Sequence, residues 1–373
     1  MTCQATSPGL WALAWRRLRA DKVAMASLAV VTAFLVMLAL SSSGLIVADW
    51  EDEVGVSYAP PAFYGGGGLA APAPSRTLET AAPDNPFDPL ADDILAIRAQ
   101  MGPGAPAALD MYGVTDPLAA EVAELRAELR AGQGAGMHGD GAAKAARLDT
   151  LPFGADKWGH DVIKKTIKGA ETSIVVGLVA ASLAVSLGTL LGAVSGYYGG
   201  LVDDFCNWFY SIFTSIPSIL MILTVAAVLQ QKGVATIVLI LGLTGWTGPY
   251  RLIRAEYMKH KGREYVMAAD AIGASSWRKM FAHIFPNVSH VALVQLSILV
   301  VGFIKAEVIL SFLGFGVPVG VVSWGSMLNE AQNELILGKW WQLFAAAFAM
   351  ALLVTAFSLL TDALRDALDP KLK

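Results

Sequence analysis

The chain has 373 residues, of which 55% are hydrophobic and 16% charged, with a net charge of −4 and a positive mean hydropathy of +0.54. Soluble domains carry about 25% charged residues, so this composition excludes an ordinary soluble domain and implies lipid-facing surface. Cys3 and Cys206 lie far apart, which implies neither a disulfide framework nor a metal site.

About 20 apolar residues cross roughly 30 Å of hydrocarbon as a helix. In chain order, Val23–Ala48, Thr172–Gly196, Phe205–Leu229, Val288–Leu310 and Trp341–Thr361 meet that standard. Val234–Tyr250 is shorter and glycine-interrupted, and extended toward Ile253 it makes a sixth span. The first apolar run exceeds the 7–15 residues of a signal peptide, so it reads as an uncleaved anchor. Within the second span Ala184, Gly188, Gly192 and Gly196 recur every four residues. This small-residue face predicts close helix packing, because lipid supplies no hydrophobic drive between helices. Pro217, Gly242, Gly245 and Gly248 predict distortion in the third and fourth spans.

Orientation follows the lysines and arginines near the membrane ends. Arg16, Arg17, Arg19 and Lys22 place the N-terminus in the cytoplasm, and six spans return the C-terminus there with Arg365, Lys371 and Lys373. The 251–287 loop, with seven basic residues, falls on the same side, whereas Ala48–Glu171 falls outside with 10 basic and 19 acidic residues. The chain thus divides into a leader and anchor (1–48), an extracytoplasmic insert (49–150) and a five-span core (151–373). Pro60-Pro61, Gly65–Gly68 and Ala71–Pro74 make the insert linker-like, Leu118–Arg130 reads as a short amphipathic helix, and the whole as a partly ordered spacer.

No phosphate-binding G-x-x-x-x-G-K-[ST] loop, H-E-x-x-H, G-x-S-x-G or paired C-x-x-C occurs. Energy, if needed, must therefore come from elsewhere. Inside the fifth span Lys305 and Glu307 sit on different faces. Lys305 can snorkel; the shorter Glu307 either bonds a neighbouring helix or lines a translocation pathway. Between the apolar spans lies the polar island Glu264–Asn287, whose grammar is helix, turn, helix. Glu264–Ile272 favours a helix, Gly273 permits a left-handed break, Ser275 can cap a second helix, and Pro286 is expected to stop it. A short helical hairpin at a membrane face is a docking surface.

This hairpin resembles the EAA loop of permease subunits in binding-protein-dependent ABC importers. Further motifs narrow the resemblance to the C-type permease of the dipeptide/oligopeptide/nickel branch. They are Phe153-Gly-Ala-Asp156 with Gly159-His-Asp161, Gly196-Tyr-Tyr-Gly-Gly200, Arg263-Glu-Tyr-Val266, Gly273-Ala-Ser275, His283-Ile-Phe-Pro-Asn287, Ser311-Phe-Leu-Gly-Phe-Gly316, Ser323-Trp-Gly325 and Arg365-Asp-Ala-Leu-Asp-Pro370, in family order across 151–373. The resemblance implies an all-α integral membrane protein with six transmembrane helices and the type I ABC importer permease fold, in a bacterial inner membrane. It implies a heterodimer with a second permease, two cytoplasmic ATPase subunits that bind the ATP, and a periplasmic or lipid-anchored solute-binding protein, with no cofactor, metal or nucleic acid of its own. Glu264, Ala268, Ala269, Asp270, Gly273, Ala274, Ser275, Trp277 and Arg278 are the ATPase-coupling residues so implied. Met267 stands where the namesake glutamate often sits, which passes its contact to Glu264 or Asp270. His160 replaces the usual arginine, and the insert exceeds the family's linker. Peptides lead as substrate; nickel chelates and peptide-like antibiotics stay open, as does an energy-independent channel or scaffold.

Overall fold

The computed structural model describes residues 10–64, 147–229, 231, 233–318 and 320–368, with side chains between Trp15 and Ala367. The Leu118–Arg130 helix and the glycine-rich linkers of the insert lie outside the described residues. Among the described residues the chain is helical, with isolated β-bridges and no strands.

A basic amphipathic helix, α1 (Leu10–Ala20), precedes the first span α2 (Lys22–Ser42). The two are separated at Asp21, whose carboxylate accepts from the Val23 and Ala24 amides at 2.8 and 3.3 Å and so starts α2. The second span, α3 (Val162–Tyr198), has 37 residues, about 55 Å at 1.5 Å per residue. It therefore projects well beyond the hydrocarbon, and its buried glycine face makes it the spine of the bundle.

The expected straight span Phe205–Leu229 is instead two helices, α4 (Gly200–Ser215) and α5 (Ser218–Leu229), bent by 85°. Pro217 lacks an N–H and pushes Ile216 into extended backbone (φ −102°, ψ 132°), so the helix cannot pass. Val234–Tyr250 is likewise divided, between α6 (Val234–Thr244) and α7 (Thr247–Lys261), with the interruption at Gly245-Trp246. Among the described residues four helices are long and apolar enough to cross a membrane, and the bent pair makes a fifth. The expected sixth span is not met by a continuous helix, because the chain breaks at Gly245-Trp246 and α7 turns polar after Tyr250.

The hairpin follows as α8 (Glu264–Ala271) and then α9 (Ser276–Phe312). Here the expectation at Pro286 fails. The helix runs through the proline because the preceding turn, Lys279–Ile284, is widened to a π-helix in which the Phe285 amide bonds the Met280 carbonyl. That wider turn accommodates the ring and the missing donor. The Asn287 side chain then caps the His283 carbonyl at 2.8 Å.

Helix α10 (Trp324–Ile336) was not foreseen; its charged residues and 13-residue length hide it from a span search. A capping box between Ser323 and Ser326 starts it. The last span, α11, is Trp341–Leu368.

The ends of the 49–150 stretch belong to the compact body, whose segments end at Tyr64 and resume at Leu148. Residues 54–62 pair with 148–161 through Val56 N–Leu148 O (3.0 Å), Gly55 N–Gly159 O (2.9 Å) and Ala62 N–Leu151 O (2.8 Å). Gly159 (φ +90°) is required there, since a Cβ would stand 2.2 Å from the Gly55 carbonyl oxygen. This loop cap is fastened to the bundle by Trp341, whose indole donates to the Ala155 carbonyl at 2.7 Å.

Candidate functional site

The glycine face of α3 receives α7. An added Cβ at Gly188, Gly192 or Gly196 would lie 2.5 Å from Trp246 O, 2.8 Å from Tyr250 O and 2.6 Å from Arg254 O respectively. Backbone therefore touches backbone along two turns, as a small-residue stripe allows. Because α7 leads through Gly262 into α8, this contact fixes where the hairpin stands.

The hairpin closes as the sequence suggests. Gly273 has φ +77°, the Ala274 amide bonds the Ala269 carbonyl at 3.0 Å, and the Gly273 amide bonds the Asp270 carbonyl at 2.9 Å. These are the two bonds of a Schellman motif. The Ser275 hydroxyl then accepts from the Arg278 amide at 3.4 Å. Val266, Met280, Ile284 and Val288 are buried in one cluster with Ala193, Tyr197, Ile253 and Tyr257. The Tyr257 hydroxyl reinforces the seat by donating to the Met280 carbonyl at 3.1 Å.

The outer face is uncovered. Ile272 is 83% exposed, Trp277 59% and Met267 55%, and Trp277 stacks on Phe281 with centroids 5.0 Å apart. Glu264, Ala268, Gly273, Ser275 and Arg278 are exposed with them, and Ala274 is half-buried. Ala269 differs: at 3% exposed it faces the body. Asp270 pairs with Lys279 at 2.5 Å across the hairpin, its own side chain still 70% exposed, and Glu264 is exposed at the start of α8. The hydrophobic character of Ile272 and Met267 was legible in the sequence; their shared exposure required the turn.

Glu307 is fully enclosed, while Lys305 is exposed. Its two oxygens accept from Ser173 at 2.6 Å and Ser311 at 2.7 Å, and Ser173 also receives the Trp324 amide at 3.3 Å. Gly325 approaches closely enough that a Cβ would meet the Val308 carbonyl oxygen at 2.6 Å. Glu307 thus bonds neighbouring helices, and with Ser173 it joins α3, α9 and α10.

Two polar clusters escaped the sequence reading. Under the loop cap, Lys165 donates to Asp156 at 2.7 Å and Glu330 at 2.6 Å. Asp156 also accepts the Trp158 and His160 amides and faces the His160 ring at 3.0 Å. Burial alone would raise the Asp156 carboxyl; the Lys165 ammonium and these bonds hold it below the usual carboxylate range. Glu334 is also buried, yet neither carboxylate oxygen has a hydrogen-bond partner among the described residues. Burial pushes it up to about 7, with Asp156 and Glu330 adding to the push and Lys165 opposing it. The folded protein then binds a proton that the unfolded chain has released above the ordinary value of 4.5. Stability from this group is fully present below that value and is lost as pH rises through about 7. The melting temperature in detergent is expected to fall between pH 5.5 and pH 8, and Glu334→Gln to flatten that fall. An equal fall in the variant would exclude Glu334 as its source.

The second cluster joins α3, α4 and α7. Arg254 donates from Nε and Nη2 to the two Asp203 oxygens, both at 2.6 Å. Ser195 also donates to Asp203, Asn207 donates to it at 3.0 Å, and Tyr250 lies 3.0 Å from Ser195 Oγ. A carboxylate shortly after Gly199-Gly200 and an arginine 51 positions later are no signal without the fold.

Comparison with known proteins bears on this geometry. Residues 188–373 match the family described as binding-protein-dependent transport system inner membrane component, and residues 9–61 match the N-terminal TM domain of oligopeptide transport permease C. The chain is 38% identical over 221 residues to the dipeptide transport system permease protein DppC of Bacillus subtilis, covering 59% of this chain and 69% of that one. It is 37% identical over 221 residues to the oligopeptide transport system permease protein OppC of the same organism, covering 59% and 72%. With the Escherichia coli OppC the identity is 38% over 219 residues, again 59% and 72%. A bundle with long apolar spans, the ordered motifs and these matches agree, and the chain belongs to the family of binding-protein-dependent transport system inner membrane components.

Proposed function

We propose that the chain is one permease subunit of an ABC importer of peptides, paired with a second permease, driven by two cytoplasmic ATPase subunits and supplied by an extracytoplasmic solute-binding protein. The observation that carries this reading is the hairpin: its inner face is locked on α3 and α7 while Met267, Ile272 and Trp277 stand uncovered on its outer face. A rigid ridge of exposed apolar side chains on a polar loop is suited to a groove in a soluble partner. The basic residues Arg16, Arg17, Arg19 and Lys22 before α2 support a cytoplasmic N-terminus, with the hairpin on the same side. Nucleotide chemistry then belongs to the partners, since the chain has no phosphate-binding loop. Relatives that are dipeptide and oligopeptide permeases support peptides as the cargo.

In the coupling role, Ala268, Gly273, Ala274 and Ser275 give the ridge a low profile, Glu264 and Arg278 supply its charged rim, and Asp270 pairs with Lys279. The pathway is best sought at the bent α4–α5 pair rather than at Glu307, because backbone freed at a break within the membrane must line water or protein. Changing Ile272 and Trp277 together to glutamate tests the docking. Two central apolar anchors are each worth more than 1 kcal/mol, so ATPase co-purification is expected to drop at least about tenfold while the chain still inserts. Undiminished ATPase retention and uptake would refute the reading.

A further inference from the structure

Helix α4 is weakly held. None of its residues is buried, and a shallow apolar recess of about 180 Å³, lined by Leu191, Phe205, Cys206, Phe209, Trp246 and Tyr250, lies where it meets α3 and α7. Its contact with α7 on this side is a set of aromatic rings: Phe209 stacks on Trp246 at 5.6 Å, Phe213 meets Trp246 edge-on at 5.4 Å and Tyr210 tilts over Tyr250 at 5.4 Å. Flat rings beside unfilled space can slide, and the hydrogen bond from Tyr250 Oη to Asn207 Oδ1, 3.3 Å, lies one turn beyond Asp203. At the N-terminal end of α4 the opposite holds. Asp203 is fixed by both nitrogen donors of Arg254, by Ser195 and by Asn207. A bidentate guanidinium–carboxylate pair fixes orientation as well as distance. The first turns of α4 are therefore clamped by polar bonds, while beyond Asn207 its contacts with Trp246 and Tyr250 are rings alone.

The clamp also sits at a mechanical junction. Arg254 belongs to α7, whose backbone is pressed into the α3 glycine face at Gly192 and Gly196, and α7 continues through Gly262 into the hairpin. On its other side Asp203 lies in the first turn of the helix that ends in the 85° bend.

We propose that the Asp203–Arg254 clamp is the pivot through which displacement of the hairpin turns α4 and so moves the bent span, with Arg254 a positioning residue for transport. This rests on the permease reading above. The pivot must hold direction, and lysine, a single point charge, cannot replace the two-pronged contact.

The test uses the assembled transporter in proteoliposomes, with its ATPases and binding protein, supplied with a mixed tripeptide pool and read by mass spectrometry of imported peptide against ATP hydrolysed. Arg254→Lys and Asp203→Asn are expected to keep ATPase co-purification while imported peptide per ATP falls about tenfold, the loss expected from one charged hydrogen bond. The exchange Asp203→Arg with Arg254→Asp is expected to recover part of that ratio. Recovery supports a pivot, because a role in folding alone would not move peptide per ATP in protein that assembles. An unchanged ratio in both single variants beside an active wild type overturns the pivot and leaves the permease reading intact. So does loss of ATPase co-purification or of foldable protein in all three variants, since the pair would then be a scaffold. A wild-type assembly that retains no ATPase, or imports no peptide, overturns the permease reading and the pivot with it.

Discussion

Gly192→Val is expected to prevent recovery of folded protein, giving aggregated material on size exclusion in detergent where the wild type runs as a single species. A Cβ at Gly192 would meet Tyr250 O at 2.8 Å, Arg254 N at 3.0 Å and Ile253 Cβ at 3.1 Å. The first two are backbone atoms of α7, so no flexible side chain can yield. Relief requires α7 to move bodily from α3, which also lifts its neighbours at Gly188 and Gly196 off their contacts. Overpacking of this kind costs about 1–3 kcal/mol for a single site and more where backbone blocks it. Alanine at the same position should give a smaller loss, read as a lower melting temperature. Gly302→Ala serves as the contrast: no atom lies within 4 Å of its added Cβ, and replacing a helical glycine should be neutral or stabilising by about 0.5–1 kcal/mol. Normal recovery of Gly192→Val, or equal damage from Gly302→Ala, would show that the α3–α7 contact does not hold the body together. Because α7 carries the hairpin, any Gly192→Ala protein that does assemble should also lose uptake before it loses insertion.

Removal of the Lys165 ammonium should be nearly as severe. Lys165 is buried with Asp156 and bonded to Glu330, and Glu334 is buried beside them without a partner of its own. Lys165→Met keeps all but the terminal atom's length of the side chain but leaves carboxylates uncompensated under the loop cap. Breaking a buried pair by deleting one partner costs about 3–5 kcal/mol, a loss that a thermal melt resolves easily. Adding Asp156→Asn to Lys165→Met removes one stranded charge and is expected to recover part of the loss, the Trp158 and His160 amide bonds being retained by the amide oxygen. A double variant no more stable than Lys165→Met would mean that charge is not the origin of the effect. The damage should also be milder at pH 5 than at pH 8, since acid neutralises the stranded carboxylates.

Much of this was visible in the chain. The spans of α2, α3 and α11, the glycine stripe, the break at Gly273 and the cap at Ser275 follow from local rules: apolar length, residue size, allowed φ and the reach of a hydroxyl. Where a proline stands, local rules were an unsafe guide. Pro217 breaks its span by 85°, whereas Pro286 is carried inside α9 by a π turn that Tyr257 helps to hold. The two prolines differ in their neighbours, and neighbours are set by packing. The same holds for ionisable residues. Glu307, Asp203 and Lys165 look alike as charges in or near apolar segments, and each acquires its role from partners 51 to 165 positions away.

The sequence by itself determined a helical membrane protein with a polar helix–turn–helix island between its spans, because hydropathy and turn residues are properties of contiguous segments. Only the tertiary structure decided that Ala269 faces the body, that Glu307 is a joint and that Arg254 grips Asp203, because burial and hydrogen-bond partnership are set by which segments meet in three dimensions.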